Sequence, residues 1–328
     1  MRTPRIKVDP AAGVAFYHCI TRTVNGEHLF YDSDKEILRK QLWDVSDYCG
    51  IEIITHSVMI NHFHVVVEVP QKTPVSDAEL LRRYAVLHPR PTRYQSARLE
   101  AIKAQLETNG QEAEKWRRKQ LAMMGDISPF MQLVKQRFSI WFNKRHNRFG
   151  TLWAARFKSV LAEGLGELLQ AMAGYVDINC VRACLKSDPK DYRFCGYSEA
   201  VAGNERARRG IARVCGGRDW EETQAIYRKI IFSIGAAPRQ KGGRVTREAF
   251  DRVMAEGGKL PLAVVLRCRV RYFTEGAVLG SKAFVEAHLD AYRRKTGSGK
   301  KTVPHPLPNV TDWGSLSVLR GIRGRAIC

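Results

Sequence analysis

Residues 58–69, VMINHFHVVVEV, constrain the fold more than any other stretch of the chain. Val and Ile dominate this stretch, which is typical of a buried or half-buried strand. Successive side chains of a strand point to opposite faces, so His62 and His64 share one face and Phe63 points to the other. The sequence therefore predicts an apolar strand that presents two imidazoles to the same side of a sheet.

These two imidazoles have two interpretations. Two positions apart on a strand, their backbones are separated by about 7 Å, so both side chains can reach one metal ion. In the alternative, they are satisfied or half-exposed histidines of an ordinary sheet. The metal interpretation requires a third ligand from elsewhere in the chain.

A second stretch, AGYVDINCVRA at residues 173–183, offers a candidate for that ligand. Tyr175 and Asn179 are four residues apart and share one face of a predicted helix. If this face packs against the histidine strand, the Asn179 amide oxygen completes a set of two nitrogens and one neutral oxygen. That set suits Mg²⁺ or Mn²⁺ better than structural zinc. Tyr175 would then stand one turn from the metal, as a nucleophile that needs activation. Taken singly, Tyr175 is more simply a core aromatic and Asn179 a surface or capping residue.

The order of predicted elements indicates the fold class. Residues 10–70 and 129–200 predict a β-α-β-β-α-β core followed by a further helix. This is the split βαβ, ferredoxin-like arrangement of the α+β class, an antiparallel sheet with helices on one face. Residues 71–128 are dense in charge and predict a helical insertion, which either lies solvated or contacts a partner.

The remaining residues predict a mostly helical C-terminal domain at 203–295 and a flexible cationic tail at 296–328. Basic, Gly-rich connections are expected at 204–220 and 237–245. Helices are expected at 220–234, 246–256, 260–272 and 281–292. The short connection FTEGAVLG between the last two helices is compatible with a helix-turn-helix or with an ordinary helical hairpin.

Charge and composition narrow the class of partner. The chain has 54 Lys and Arg against 33 Asp and Glu, a net charge of +21, which favours a polyanion, nucleic acid before membrane. The alternative is a basic enzyme with an unrelated substrate. No apolar run approaches the ~18 residues of a membrane span, and the N-terminus lacks the apolar core of a signal peptide. Eight Cys without a CxxC pair favour reduced thiols, so we expect a cytoplasmic protein. A nucleic-acid partner would make it nucleoid-associated.

Five segments together resemble a known family, the REP-associated branch of the single-tyrosine transposases with a histidine-hydrophobe-histidine (HUH) motif, within the IS200-like transposases. VMINHFHVVVE resembles the HUH motif, and GYVDINCVRACL resembles the tyrosine-bearing helix. FYHCITRTVNGEHLF, FGTLWAARFKSVLAE and DYRFCGYS also look like segments of that branch. The resemblance covers residues 10–200 without the insertion.

The resemblance implies a metal-dependent enzyme that cleaves and rejoins single-stranded DNA near hairpins, often palindromic repeats. His62, His64 and Asn179 would bind Mg²⁺ or Mn²⁺, and Tyr175 would form a 5′-phosphotyrosine. The protein would act as a monomer or a homodimer. Cationic side chains would contact the phosphates: Lys135, Arg137, Lys144, Arg145, Arg156, Lys158 and Arg182.

Two departures and two alternatives accompany this interpretation. Cys180 and Ile60 replace prolines that are usual in the family, and Cys180 should let the helix continue unbroken. The first alternative is a non-catalytic, domesticated protein that binds hairpin DNA. The second is an RNA-binding protein on a ferredoxin-like sheet, which requires exposed aromatics on the sheet face. Phe63 is the candidate in the central strand, and we expect it in the core.

Overall fold

The computed structural model describes residues 5–9, 11, 13–236, 273–274, 276–296, 303–306 and 316–319. The helices predicted at 246–256 and 260–272, and with them the first half of the predicted helix-turn-helix, lie outside these residues.

One mixed sheet organises the described residues. Its strands are β1 (Ala15–Arg22), β2 (Glu52–Val58), β3 (His62–Val69), β4 (Lys158–Ala162), β5 (Val278–Ser281), β6 (His305–Pro306) and β7 (Leu316–Leu319). The strand order is β2-β3-β1-β4-β5-β7-β6. The first four strands pair antiparallel, and β4 pairs parallel to β5. The predicted α+β class and ferredoxin-like core are therefore confirmed.

The helices that the structure describes are α1 (Asp32–Cys49), α2 (Asp77–Val86), α3 (Arg93–Thr108), α4 (Gln111–Leu121), α5 (Ile127–Arg145), α6 (Gly166–Asp177), α7 (Asn179–Arg182), α8 (Gly196–Val201), α9 (Glu205–Cys215), α10 (Trp220–Ala236) and α11 (Lys282–Thr296). Helices α2 to α4 form the predicted insertion, and Ile102, Leu106 and Ala113 give it a small core of its own. Among the described helices, none combines the length and apolarity needed to cross a bilayer.

Helices cover both faces of the sheet, which corrects the prediction of helices on one face only. On the Phe63 face, α1 brings Trp43 against His56, and Phe138 of α5 meets Trp153, which also packs on Phe63. The opposite face, which carries His64 and Val66, is covered by α6 and α9. Helix α6 is apolar almost all round, with nine of its twelve residues buried, and such a helix needs cover on more than one side.

The stretch predicted as a basic connection at 204–220 is mostly helix α9, so that prediction is wrong. The Asn204 side chain accepts from the backbone of Arg206 and Ala207 and caps the helix. Gly210 lets α9 approach β2 closely, because a Cβ there would lie 2.4 Å from the carbonyl oxygens of Ile53 and Ile54. The amphipathic face of α9, and not its many arginines, decides its conformation.

The C-terminal residues extend the core sheet. The predicted turn at 273–280 contains most of strand β5, and the predicted flexible tail contributes β6 and β7, which corrects both expectations. Ile211, Tyr227 and Val278 are buried in one continuous apolar core with Val65 and Val176. Over the described part of 203–295, the residues therefore pack as an extension of the ferredoxin-like core.

The tyrosine-bearing helix is interrupted at Ile178, where ψ is −4°, so the expected unbroken helix is wrong. The Asn179 amide donates to the carbonyl of Val176, and the Cys180 thiol donates to the carbonyl of Asp177. Side-chain donors that bind nearby carbonyls compete with the backbone ladder of a helix. The interruption lies between Tyr175 and Asn179.

Candidate metal and nucleic-acid site

Three histidines meet on one face of the sheet. His62 and His64 share this face on β3, as predicted, and His18 of β1 joins them because β1 and β3 pair antiparallel in register. The rings of His18 and His64 are stacked, with centroids 5.1 Å apart and planes inclined by 17°. The rings of His62 and His64 meet edge to face at 5.1 Å.

A chain of hydrogen bonds fixes the protonation of the buried pair. The carbonyl of Phe273 only accepts, so Nδ1 of His18 donates to it at 2.7 Å. In a neutral ring, Nε2 of His18 is then an acceptor, and Nδ1–H of His64 donates to it at 2.9 Å. The remaining nitrogen of His64, Nε2, is therefore left with a lone pair.

His62 reaches the same state through a different partner. The Asn61 amide donates to the carbonyl of Gly26 at 2.8 Å, which orients its oxygen. Nδ1–H of His62 donates to this oxygen at 2.6 Å, so Nε2 of His62 also keeps a lone pair. Both histidines of the motif thus have one nitrogen occupied and the other available as a ligand atom.

Burial keeps all three rings neutral at neutral pH. Desolvation is the largest cause that lowers the pKa of His18 and of His62, each to about 4. The pKa of His64 falls well below its ordinary value, because burial adds to repulsion from His62 and His18. Neutral imidazoles are the form that binds metal ions.

Tyr175 lies on α6, directly above the histidines of the same chain. Its ring centroid is 5.9 Å from that of His64 and 6.0 Å from that of His18, both edge to face. The Phe273 ring stacks on Tyr175 at 5.5 Å, and the Arg182 guanidinium lies 5.1 Å from its centroid. Tyr175 is only 6% exposed, so its ring must leave this stack to meet a large substrate.

Asn179, the predicted third ligand, is half-buried just beyond the interruption of the helix. Its amide nitrogen donates to the carbonyl of Val176, which leaves the amide oxygen for another partner. Within the described residues no hydrogen bond joins Asn179 to either histidine, and no group of three His, Cys, Asp or Glu could hold a metal ion. The structure thus brings two imidazole nitrogens to one sheet face, and the predicted contribution of the Asn179 amide oxygen to an open Mg²⁺ or Mn²⁺ site stays a prediction.

A buried carboxylate holds α6 above the sheet. Asp177 accepts hydrogen bonds from the Thr55 hydroxyl of β2 at 2.8 Å and from the Tyr227 hydroxyl of α10 at 2.5 Å. The backbone of Tyr197 donates to it at 3.1 Å. Burial is the largest influence on the pKa of Asp177 and raises it to about 6. These contacts hold the helix that carries Tyr175 at a position two residues beyond it.

The seven predicted DNA-binding cations fall into three groups. Lys135 and Arg137 are half-buried and donate to the carbonyls of Ala155 and Leu87, at 2.6 and 2.7 Å. Burial, with help from Arg5 and Arg156, lowers the pKa of Lys135 to about 8. Arg182 lies over Tyr175, as described above. Four are exposed: Lys144, Arg145, Arg156 and Lys158.

Two exposed side chains, Arg22 and Phe149, were not among the predicted site residues. Arg22 pairs in register with His62 and carries positive charge that lowers the pKa of His62 and His64. Its signal was the alternation in HCITR, which puts His18 and Arg22 on one strand face. Phe149 is 89% exposed and follows Arg148, which pairs with Glu27 in the loop beside Gly26.

A family model matches a segment near the start of the chain. Residues 14–81 match the model of the family described as Transposase IS200 like, which confirms the predicted resemblance over these residues. They include His18, Arg22, His62 and His64, whereas Tyr175 and Asn179 lie beyond them. No curated protein matches the chain. A solved structure described as a REP-associated tyrosine transposase bound to a REP hairpin aligns with 62% of this chain and 87% of its own, at 13% identity and a TM-score of 0.39.

Proposed function

We propose that this protein is an IS200-like transposase of the HUH single-tyrosine type, a metal-dependent enzyme that cleaves and rejoins single-stranded DNA near hairpins. The observation that carries the proposal is the hydrogen bonding of His62 and His64. Each ring has Nδ1–H engaged and Nε2 left as a ligand atom, with Tyr175 packed against His64. The family match over residues 14–81 supports the same class.

His62, His64 and Asn179 would hold the ion, Mg²⁺ or Mn²⁺. When bound, it would polarise the scissile phosphate and stabilise the negative charge that develops on it. Tyr175, which packs against His64 in the same chain, would supply the nucleophile, and the protein would act as a monomer or a homodimer.

The covalent step needs no nucleotide cofactor, because each bond that forms at phosphorus replaces one that breaks. The Tyr175 hydroxyl oxygen attacks phosphorus and loses its proton, and the bond from phosphorus to the 3′-oxygen breaks. The leaving 3′-oxygen takes up a proton and becomes a 3′-hydroxyl, while the 5′-phosphate stays on Tyr175. Attack by the same or another 3′-hydroxyl reverses the step and rejoins the strand.

The charge around the site suits a phosphate backbone. Arg22 adjoins His62, and Lys158 lies on the same sheet face, because it pairs with Ile20, the partner of His64. Both are exposed, as are Arg156 and the pair that ends α5, Lys144 and Arg145. We propose these five cations as the phosphate contacts, and Lys135 and Arg137 chiefly as ties within the fold.

A second candidate function is a non-catalytic protein that binds hairpin DNA. The observation in its favour is the burial of Tyr175, whose ring is 6% exposed beneath Phe273 and so cannot reach a phosphate in this arrangement. Binding to RNA on an open sheet is disfavoured, because Phe63 is fully buried and α6 covers the histidine face.

A denaturing-gel assay separates the two candidates. The full chain is incubated with labelled single-stranded hairpin oligonucleotides from the DNA that flanks its gene, with Mg²⁺ or Mn²⁺. If the protein is the proposed enzyme, we expect a protein-linked DNA band, and addition of chelator should abolish it. Tight hairpin binding without such a band, with either metal, would favour the binder.

Two matched Tyr→Phe variants identify the nucleophile. Tyr175→Phe should abolish the covalent band and keep hairpin binding. Tyr17→Phe is the control, because Tyr17 is equally buried on the opposite face of the sheet, and it should keep the band. A band that survives in Tyr175→Phe would refute the assignment of the nucleophile.

A further inference from the structure

We propose that His18 is a positioning residue that fixes His64 in the tautomer able to bind a divalent metal ion. This inference rests on the proposed function and names a residue that acts through His64. His18 itself is fully buried, and both of its ring nitrogens are engaged.

The direction of the hydrogen bonds carries the inference. A neutral imidazole has two tautomers, and a metal ion binds only the nitrogen without a proton. Because Nδ1 of His18 donates to the carbonyl of Phe273, Nε2 of His18 must accept, and only the Nδ1–H tautomer of His64 donates to it. Because the carbonyl can only accept, it fixes the proton position on His18, and His18 in turn fixes the proton on Nδ1 of His64 and leaves Nε2 of His64 as the ligand atom.

The packing supports the same role. The rings of His18 and His64 lie nearly parallel at 5.1 Å, and Tyr175 touches both edge to face. The ring of His64 is therefore held in position as well as in protonation. A partner that orients a metal-binding imidazole typically contributes 10- to 100-fold in metal affinity.

Two variants of equal length isolate the acceptor. Gln at position 18 offers an amide oxygen to Nδ1–H of His64 and an amide N–H to Phe273, whereas Met has neither group. His18→Met should weaken Mn²⁺ binding by roughly 10- to 100-fold, and His18→Gln should recover most of it. Binding of Mn²⁺ alone to the full chain is followed by isothermal titration calorimetry and by the electron paramagnetic resonance spectrum of the ion.

A second measurement needs no metal. Nitrogen-15 shifts of labelled histidine report which ring nitrogen carries the proton. Wild type and His18→Gln should show His64 as the Nδ1–H tautomer, and His18→Met should show a mixture. Thermal melting of both variants checks that each is folded. Because the Gln and Met side chains have similar lengths, a change in packing alone should affect both variants equally.

The outcomes separate this inference from the proposed function. If His64→Ala abolishes Mn²⁺ binding while His18→Met binds like wild type, the positioning role is overturned and the metal site stands. Equal loss in His18→Gln and His18→Met also overturns it, because the acceptor would then not matter. If His64→Ala leaves Mn²⁺ binding unchanged, the metal site fails and this inference fails with it.

Discussion

Glu199 of α8 is a buried carboxylate that contacts α1, β2 and Asn204, the residue that caps α9. Its Oε1 lies 2.8 Å from Arg39 of α1 and 3.2 Å from His56 of β2. Its Oε2 accepts from the Trp43 indole at 2.9 Å and from the Asn204 amide at 2.8 Å. At 6% exposure the carboxylate is largely out of water, so its ionised form depends on these partners.

The pKa of Glu199 gives the magnitude of the effect. Burial alone would raise it, but His56 and Arg39 outweigh burial and lower it from 4.5 to about 2. Because the folded-state pKa lies below the unfolded one, the stabilisation is fully present above pH 4.5 and is lost as the pH falls through the folded value. At about 1.4 kcal/mol for each pKa unit, the contribution is at most about 3 kcal/mol, because the part that His56 supplies is present only while His56 is protonated.

We therefore expect Glu199→Gln to lower the free energy of unfolding by up to about 3 kcal/mol between pH 4.5 and pH 7, and by progressively less below pH 4.5. Urea unfolding at a series of pH values measures this difference. Glu205→Gln is the control, because Glu205 is 74% exposed and only pairs with Arg208 at the surface. A loss at neutral pH no larger than that of the control, or a difference that does not shrink in acid, would refute the reasoning.

Three further predictions concern the packing of α9 on β2, the exposed cations Arg22 and Lys158, and the exposed Phe149. Gly210→Ala should push α9 away from β2 and lower the free energy of unfolding in urea by roughly 1–3 kcal/mol. Gly166→Ala is the control and should be tolerated, because a Cβ there meets nothing within 4 Å. Equal effects of the two substitutions would exclude the close approach as the cause. Arg22→Gln and Lys158→Gln should each reduce the slope of log affinity for single-stranded DNA against log salt by about 0.7, and an unchanged slope would remove either residue from the phosphate contacts. Phe149→Ala should weaken the binding of single-stranded DNA by about 1–3 kcal/mol and change the binding of duplex DNA little, because only unpaired bases can stack on the ring. An equal loss of duplex binding would argue against stacking.

The local elements of the core were predictable because their patterns are strong. The alternation around His62 and His64 predicted β3 and its shared face, and the β-α-β-β-α-β order and the helix expected at 220–234 agree with α1, α5 and α10. Helix α9 was predictable too, since Ala207, Ile211 and Val214 recur at helical spacing and are the residues it buries. Its arginines obscured that pattern.

The partners of the histidines were not predictable, because they depend on strand register and distant packing. His18 meets His64 only through the pairing of β1 with β3, and its other partner, Phe273, is 255 residues away. Strands β5 to β7 are two to four residues long and form only where an existing sheet edge accepts them. The interruption at Ile178 arises from side chains that bind their own helix.

The bond between His18 and the carbonyl of Phe273 has a consequence for the modularity of the protein. A fragment cut at residue 200, the end of the predicted resemblance, would keep His62, His64 and Tyr175 but lose the Phe273 carbonyl to which His18, the partner of His64, donates. It would also expose the edge of β4 that β5 covers. Among the described residues, Phe273 and strand β5 therefore belong to the same folded unit as the histidine strands, and a shorter fragment would lack part of the environment of His64.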